Sequence, residues 1–499
     1  MTQVVKHKSV LRLAPASLAA TVVVSLFAVS TRAEPWIAPG DAGLRHDVQL
    51  LADTGVLHTP TLGWPLPWSN IARDIERVDV STLAPAARSS AARLHERALA
   101  EMRIDEVALG FELAAASEPE VLRSFSDTPR EEGEAALLAS RTGQRFAWKA
   151  VARVVADAED GQTFRPDGSY VAASLGNWML SAGYLERWWG PGWQGSLILS
   201  NSARPVPGVS LDRNESRPFE VPVLRWLGPW RFSTFMGQLE GDRDYPHTLL
   251  FGMRAEIRPI PSLQIAASRT AQWCGDGRPC GLDTFVDLLA GNDNDQPLDE
   301  QPGNQLAGFD VRWSWPGGRV PLALYAQGIG EDEAGFLPSK YLGLFGLETW
   351  GAWGDHSWRA TVEYADTACD FVNSQPDFGC AYESSIYTTG YRYRGRAIGH
   401  SMDGDGEMIS SSLMLLESSG RRWQLTARNV KLNRAGQSAG HTLSPSAAAQ
   451  AQDVVATHDR AYPWGNITAL VGYAEVSGTP ADVLQDGFRG SLSWRRAFR

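Results

Sequence analysis

Gly436-Gln437-Ser438-Ala439-Gly440, followed by His441, has the spacing of a nucleophile elbow, in which a serine on a sharp turn hands its proton to a histidine. That geometry needs a buried strand before the turn, a helix after it and an acid next in chain order. Here a polar strand precedes the turn and a Ser/Ala/Gln stretch follows, so the match is a chance one in a small-residue loop. The chain has no HExxH, phosphate-binding loop or dinucleotide fingerprint. Paired carboxylates for glycoside cleavage are defined by their separation in space, and the sequence singles out no pair. It thus offers no catalytic residue and no cofactor site.

Binding chemistry is better represented. Arg187, Trp188, Trp189 and Trp193 surround Gly190-Pro191-Gly192. Rings and planar guanidinium groups can stack on a sugar, or the tight turn can pack its tryptophans on a helical bundle or at a membrane boundary; packing is the favoured reading. Arg392 and Arg394, in the stripe Arg392-Tyr393-Arg394-Gly395-Arg396, can meet an acidic polymer. At strand spacing the favoured reading has them line a lumen and neutralise acids such as Glu363. Acidic runs at Gly291–Asp295 with Asp299 and Glu300, at Glu331–Glu333 and at Asp403–Glu407 lack the twelve-residue calcium-loop spacing. They read as solvated loops, with no metal site.

The four cysteines form two local pairs. Cys274 and Cys280 flank Gly-Asp-Gly-Arg-Pro, and Cys369 and Cys380 flank a polar stretch with Pro376 and Gly379. Neither spacing suits zinc, and no histidine lies in either segment. Two loop-stapling disulfides in an oxidising compartment are the natural pairing, although three connectivities are formally open.

An export signal agrees with those disulfides. Lys6, Lys8 and Arg12 precede an apolar run from Leu18 to Val29, and Thr31-Arg32-Ala33 offers a cleavage site. Residues 1–33 are expected to be a cleaved signal peptide. Residues 34–141 follow a helical pattern and are expected to form a small periplasmic domain. Its helices are predicted over Arg45–Val56, from Pro67 to Val78 and from Pro85 to Met102, with Gly55 as a stop.

Past residue 145 the period of the pattern changes to two. Leu249, Phe251, Met253, Ala255 and Ile257 alternate with Leu250, Gly252, Arg254, Glu256 and Arg258. Phe309, Val311, Trp313 and Trp315 alternate with Asp310, Arg312 and Ser314, and Leu492, Trp494, Arg496 and Phe498 end the chain in the same way. Tyr391 and Tyr393, alternating with Arg392 and Arg394, read as another strand. Gly, Pro, Asn and Asp clusters separate such runs. Residues 145–499 are expected to be mainly β: a closed antiparallel outer-membrane barrel of about 18 strands, at about 20 residues per strand and connection. Hydrocarbon demands that every backbone N–H and C=O be paired within the protein, so the sheet must close. The apolar set would face lipid and the polar alternates a lumen.

Composition fits this. The 499 residues carry 46 Lys+Arg against 57 Asp+Glu, a net charge of −11 that argues against nucleic acid as a partner. The 19 Trp outnumber the 17 Phe and the 12 Tyr, and indoles favour the membrane–water boundary. A soluble all-β protein also alternates, but the export signal and the charged alternates favour the barrel.

Four segments resemble the Wzi-type capsule assembly proteins of Gram-negative outer membranes: Trp36–Leu57, Gly63–Ser69, Glu186–Trp193 and Leu197–Val209. The order of these Trp/Pro/Gly words spans most of the chain after residue 33. The resemblance implies an 18-stranded barrel with a helical bundle on its periplasmic side. It further implies a non-catalytic surface lectin that holds capsular or extracellular polysaccharide on the cell. The polymer and outer-membrane lipid would be the partners of a monomer without cofactors. A porin-like channel and a secreted soluble glycan hydrolase are the alternatives.

Overall fold

A computed structural model describes residues 35–103, 106–290, 303–317, 320–334, 337–436, 440–445, 447–478, 484 and 486–498. The expected signal segment and the acidic run at 291–300 lie outside the described residues, as do Gln437, Ser438 and Ala439 of the elbow match.

The chain forms a closed barrel of 18 antiparallel strands. Each strand pairs with its neighbour in sequence, and the last, Gly487–Phe498, pairs with the first, Val107–Ala116, through Phe498↔Leu109 and Ser491↔Ala116. Closure removes both sheet edges. Phe164–Arg165 and Tyr170–Leu175 both pair with Phe146–Ala156 and make up one interrupted strand. The barrel opens at Val107, not after residue 141. Its first strands, Val107–Ala116 and Gly133–Thr142, fall inside the segment expected to be helical. Their Ala-rich sequences carry little β signal by themselves and are held by the pairing of neighbours.

Alternation sorts the faces as expected. Arg254, Glu256 and Arg258 are buried in the interior, while Leu137, Val209, Phe309, Leu413 and Val471 point outward and are exposed among the described residues. An apolar belt on this scale, exposed all round a barrel, is stable only in lipid. Outward tryptophans such as Trp148, Trp313, Trp353 and Trp423 gather at one end. There the connections are mostly short, as at Pro261-Ser262 and Gly354-Asp355. The other end carries long loops, including 117–132, 184–207 and 367–406.

The interior is not uniformly polar. Arg254, Glu256, Arg258, Arg312, Glu348 and Arg359 sit toward the short-turn end, whereas Leu250, Leu306, Ile329, Leu342, Leu344 and Leu432 line the long-loop half. The reason is that segments of the same chain, two of them large, fill the lumen, and each meets a matching wall.

The first filler is the helical bundle. Helices α1 (Ala42–Asp53), α2 (Trp68–Glu76) and α3 (Pro85–Glu101) match the predicted ones to within a few residues. Asp41 caps α1 by accepting the Leu44 amide at 2.9 Å, and Pro85 opens α3. Val48, Leu51 and Ala52 pack on Ala87, Ala91 and Leu94. The bundle's polar rim is held by wall arginines. Arg258 donates to Ala52 O at 2.7 Å and to Leu57 O at 2.6 Å, and Arg231 donates to Gly63 O at 2.7 Å.

The second filler is the 184–207 loop, which folds inward from the long-loop end. At mid-height the fillers meet: Gly63-Trp64 pairs antiparallel with Trp188-Trp189. The open lumen that a porin-like channel requires is blocked by this contact. A soluble hydrolase is ruled out by the uncovered apolar wall.

Candidate functional site

With the lumen closed, the long-loop end is the surface on which a large ligand can act. Its floor is the inward loop. Glu363, on the wall, accepts the amides of Trp193 at 2.7 Å and Gln194 at 3.1 Å. Gln327 accepts the Leu197 amide at 2.7 Å and donates to Trp189 O at 2.8 Å. From above, the 367–406 loop clamps the same segment: Tyr382 donates to Leu197 O at 2.7 Å and Tyr391 to Ile198 O at 2.9 Å. Gly195 is required here, because a Cβ at this position would lie 1.9 Å from His400 Nε2. Burial, aided by the charge of Arg428, pushes the His400 imidazole down to about 3, so it is neutral.

These contacts settle where the tryptophan cluster lies. Trp188, Trp189 and Trp193 are 0%, 1% and 5% exposed. Trp188 stacks edge-on against Phe125 at 5.4 Å, and Arg45 of α1 lies 4.2 Å from the Trp193 ring centroid. Arg187 is covered too, its guanidinium 4.5 Å over the Phe235 ring. No free ring face is left for a sugar. Trp188 and Trp193 lock the loop onto the bundle, while Trp189 and Arg187 pack against Phe235 of the wall.

The arginine stripe is corrected as well. Arg392-Tyr393 and Arg396-Ala397 form a small hairpin in the 367–406 loop, not a barrel strand. Arg392 is buried and paired with Asp403 at 2.9 Å and Glu383 at 2.7 Å; it does not neutralise Glu363. Those two carboxylates hold the guanidinium charged. Arg394 is half-buried, with φ +50, and lies against its neighbour Tyr393. Only Arg396 reaches the rim, donating to Glu159 at 2.6 Å. Tyr–Arg alternation alone cannot separate a hairpin from a barrel strand.

The acidic stretch Asp403–Glu407 is likewise no solvated loop. Asp403 faces Arg392, Asp405 accepts the Gly379 amide at 2.8 Å, and Glu407 pairs with Lys431 and Arg434, each at 3.0 Å. Among the described residues no group of three or more His, Cys, Asp or Glu is placed to hold a metal. Both local disulfides, Cys274–Cys280 and Cys369–Cys380, are present.

Beside the hairpin a cavity of about 250 Å³ opens at the rim. Arg130, Arg396 and Arg489 line it together with Glu118, Glu120, Glu131, Glu132, Asp157 and Glu159. Its arginines are anchored: Arg130 donates to Asn201 O at 2.7 Å and Ser202 O at 2.9 Å, and Arg489 pairs with Glu120. Burial next to Arg123 lowers Arg130 to about 9. Pre-positioned guanidinium and carboxylate groups around a recess of this size suit the hydroxyls of a sugar. No sequence signal marks Arg130, Glu159 or Arg489, which come from two separate connections and the last strand.

The sequence matches the family described as capsule assembly protein Wzi over residues 110–482. The chain belongs to that family. It is 32% identical over 401 residues to an uncharacterized 55.8 kDa protein in the cps region of Klebsiella pneumoniae, covering 80% of this chain and 78% of that one. It superposes on Wzi from Escherichia coli with a TM-score of 0.83 and 28% identity, over 93% of this chain and all of the other. That protein is described as an outer membrane protein involved in group 1 capsule assembly and a carbohydrate-binding β-barrel. Family membership and the closed apolar-walled barrel place this chain in the outer membrane.

Proposed function

We propose that this protein holds a capsular or extracellular polysaccharide at the cell surface, by binding without catalysis. The observation that carries the reading is the meeting of Gly63-Trp64 with Trp188-Trp189. A polymer cannot thread a lumen blocked at mid-height, so it engages the long-loop face. The carbohydrate binding of the E. coli relative supports the same role here. Outer-membrane barrels keep short turns on the periplasmic side, so the bundle faces the periplasm and the rim cavity faces out. Residues 1–33 act as the cleaved export signal. The protein works as a monomer surrounded by outer-membrane lipid. Each sugar contact is weak, and a repeating polymer multiplies them.

The test is deletion of the gene in its host, with polysaccharide measured on washed cells and in the medium. The expected result is polymer lost to the medium, restored by the intact gene. Normal retention on washed deletion cells removes the proposal.

A further inference from the structure

Helix α4 (Leu282–Ala290) lies on the outside of the barrel. Its Phe285 ring packs 5.3 Å from Phe251 and 4.9 Å from Trp273, and Leu288 is fully buried in the same cluster with Ala271. Phe251, Ala271 and Trp273 alternate with Leu250, Thr270 and Gln272, which are buried in the lumen. They therefore belong to the outward set that lipid covers elsewhere on the wall. Trp273 and Leu249 end their strands at the long-loop side, so α4 sits at the outer rim of the apolar belt.

The helix has three faces. At about 100° per residue, Thr284, Phe285 and Leu288 turn to the wall. Trp273 Nε1 donates to Thr284 Oγ1 at 3.2 Å. Leu282, Val286 and Leu289 form a second stripe that none of the described residues covers, at 78%, 55% and 37% exposure. Asp283 and Asp287 occupy the third face. A helix in water needs one apolar face, for the protein behind it. A second apolar face continuous with a lipid-covered wall, with carboxylates opposite, is the pattern of a helix in the corner between protein, acyl chains and water.

The helix is also tied in place. Arg269 projects from the outward side of its strand, where a bare guanidinium is unfavourable. It donates to Leu289 O at 2.9 Å, to Leu288 O and to Gln305, so the helix C-terminus satisfies the charge. The Cys274–Cys280 disulfide closes the turn that delivers the chain from Trp273 into α4.

We propose that α4 is a membrane-surface helix, inserting Leu282, Val286 and Leu289 among the acyl chains of the outer leaflet around the barrel. Continuity with the lipid-covered wall selects lipid over a second copy of the chain. The test uses the full-length protein refolded into phospholipid vesicles, with a nitroxide on Val286→Cys, Asp283→Cys or the outward wall position Leu413→Cys. The expected result is that Val286 follows Leu413: relaxation by dissolved oxygen exceeds relaxation by a water-soluble nickel chelate several-fold, and the order reverses at Asp283. A Val286 label relaxed mainly by nickel, or shielded from both, overturns the proposal while Leu413 still reports lipid. Dipolar broadening at Val286 that disappears on dilution with unlabelled protein assigns the stripe to a second copy and also overturns it. A Leu413 label relaxed by nickel would instead sink the membrane-barrel reading itself.

Discussion

Arg312 on the barrel wall and Asp53 at the end of α1 face each other through two hydrogen bonds, 2.6 and 3.0 Å long, in a setting where both side chains are almost fully buried. Arg312 also reaches Glu348 at 2.6 Å, and Glu348 in turn pairs with Arg359. This network ties the first filler of the lumen to the wall behind it. A buried pair adds little net stability over an apolar replacement, but losing one partner strands a charge, at a cost of about 3–5 kcal/mol.

Asp53→Ala is therefore expected to lower the unfolding free energy of the detergent-solubilised protein by about 3 kcal/mol. It should also speed tryptic cleavage within residues 35–103 and raise single-channel conductance in planar bilayers, since the bundle is half of the closure. Unchanged cleavage and conductance would show that the other wall arginines hold the bundle by themselves.

The upper half of the closure is tested at Gly195. A methyl group there collides with the His400 ring, which is fixed in the 367–406 loop. Gly195→Ala is expected to separate the two loops while leaving the barrel folded. The predicted readout is unchanged heat-modifiable migration of the barrel with faster proteolysis in the 184–207 segment. Rigid loops despite the substitution would contradict the clamp described above.

Glu186 gives the molecule a pH dependence. Its carboxyl faces a cavity of about 170 Å³ between bundle and wall and is pushed up to about 7 by removal from water and then by the charge of Asp127. Arg130, Lys149 and Arg153 pull the other way and do not prevail. A carboxyl raised in the folded state binds its proton more tightly there than in the unfolded chain. Its contribution is complete below the ordinary value of 4.5 and disappears as pH rises through about 7. The unfolding temperature of the native protein should fall between pH 5 and pH 8 by a component that Glu186→Gln lacks. Equal slopes for the two proteins would rule out this titration.

The barrel was legible because alternation along strands such as Leu249–Ile260 is imposed by the wall itself, lipid on one side and lumen on the other. The helices were legible from start and stop signals such as Pro85 and Gly55, whose φ is +79. The first two strands were not, because Val107–Ala116 and Gly133–Thr142 are rich in small residues and the first closes on the last strand, distant in sequence. The lumen was misread for a related reason. Alternation tells which residues point inward but not what they meet, so Leu250 and Leu344 gave no hint of an inward loop. The rim cavity was invisible, since Arg130, Glu159 and Arg489 converge only through closure of the barrel.

Arg392 and Arg396 are four residues apart in one stripe, yet the structure gives them opposite tasks. Arg392 is enclosed with Asp403 and Glu383, so Arg392→Ala leaves the buried Asp403 carboxylate without its charge partner and should destabilise the 367–406 loop. Arg396 meets an exposed Glu159, a pair worth at most about 1 kcal/mol. Arg396→Ala should leave the unfolding temperature nearly unchanged and weaken binding of purified capsular polysaccharide several-fold in surface plasmon resonance. Binding lost in the Arg392 variant follows from a disordered loop and is expected together with a lower unfolding temperature. If Arg396→Ala keeps full affinity, the rim cavity is not the point of contact and the polymer engages another part of the long-loop face.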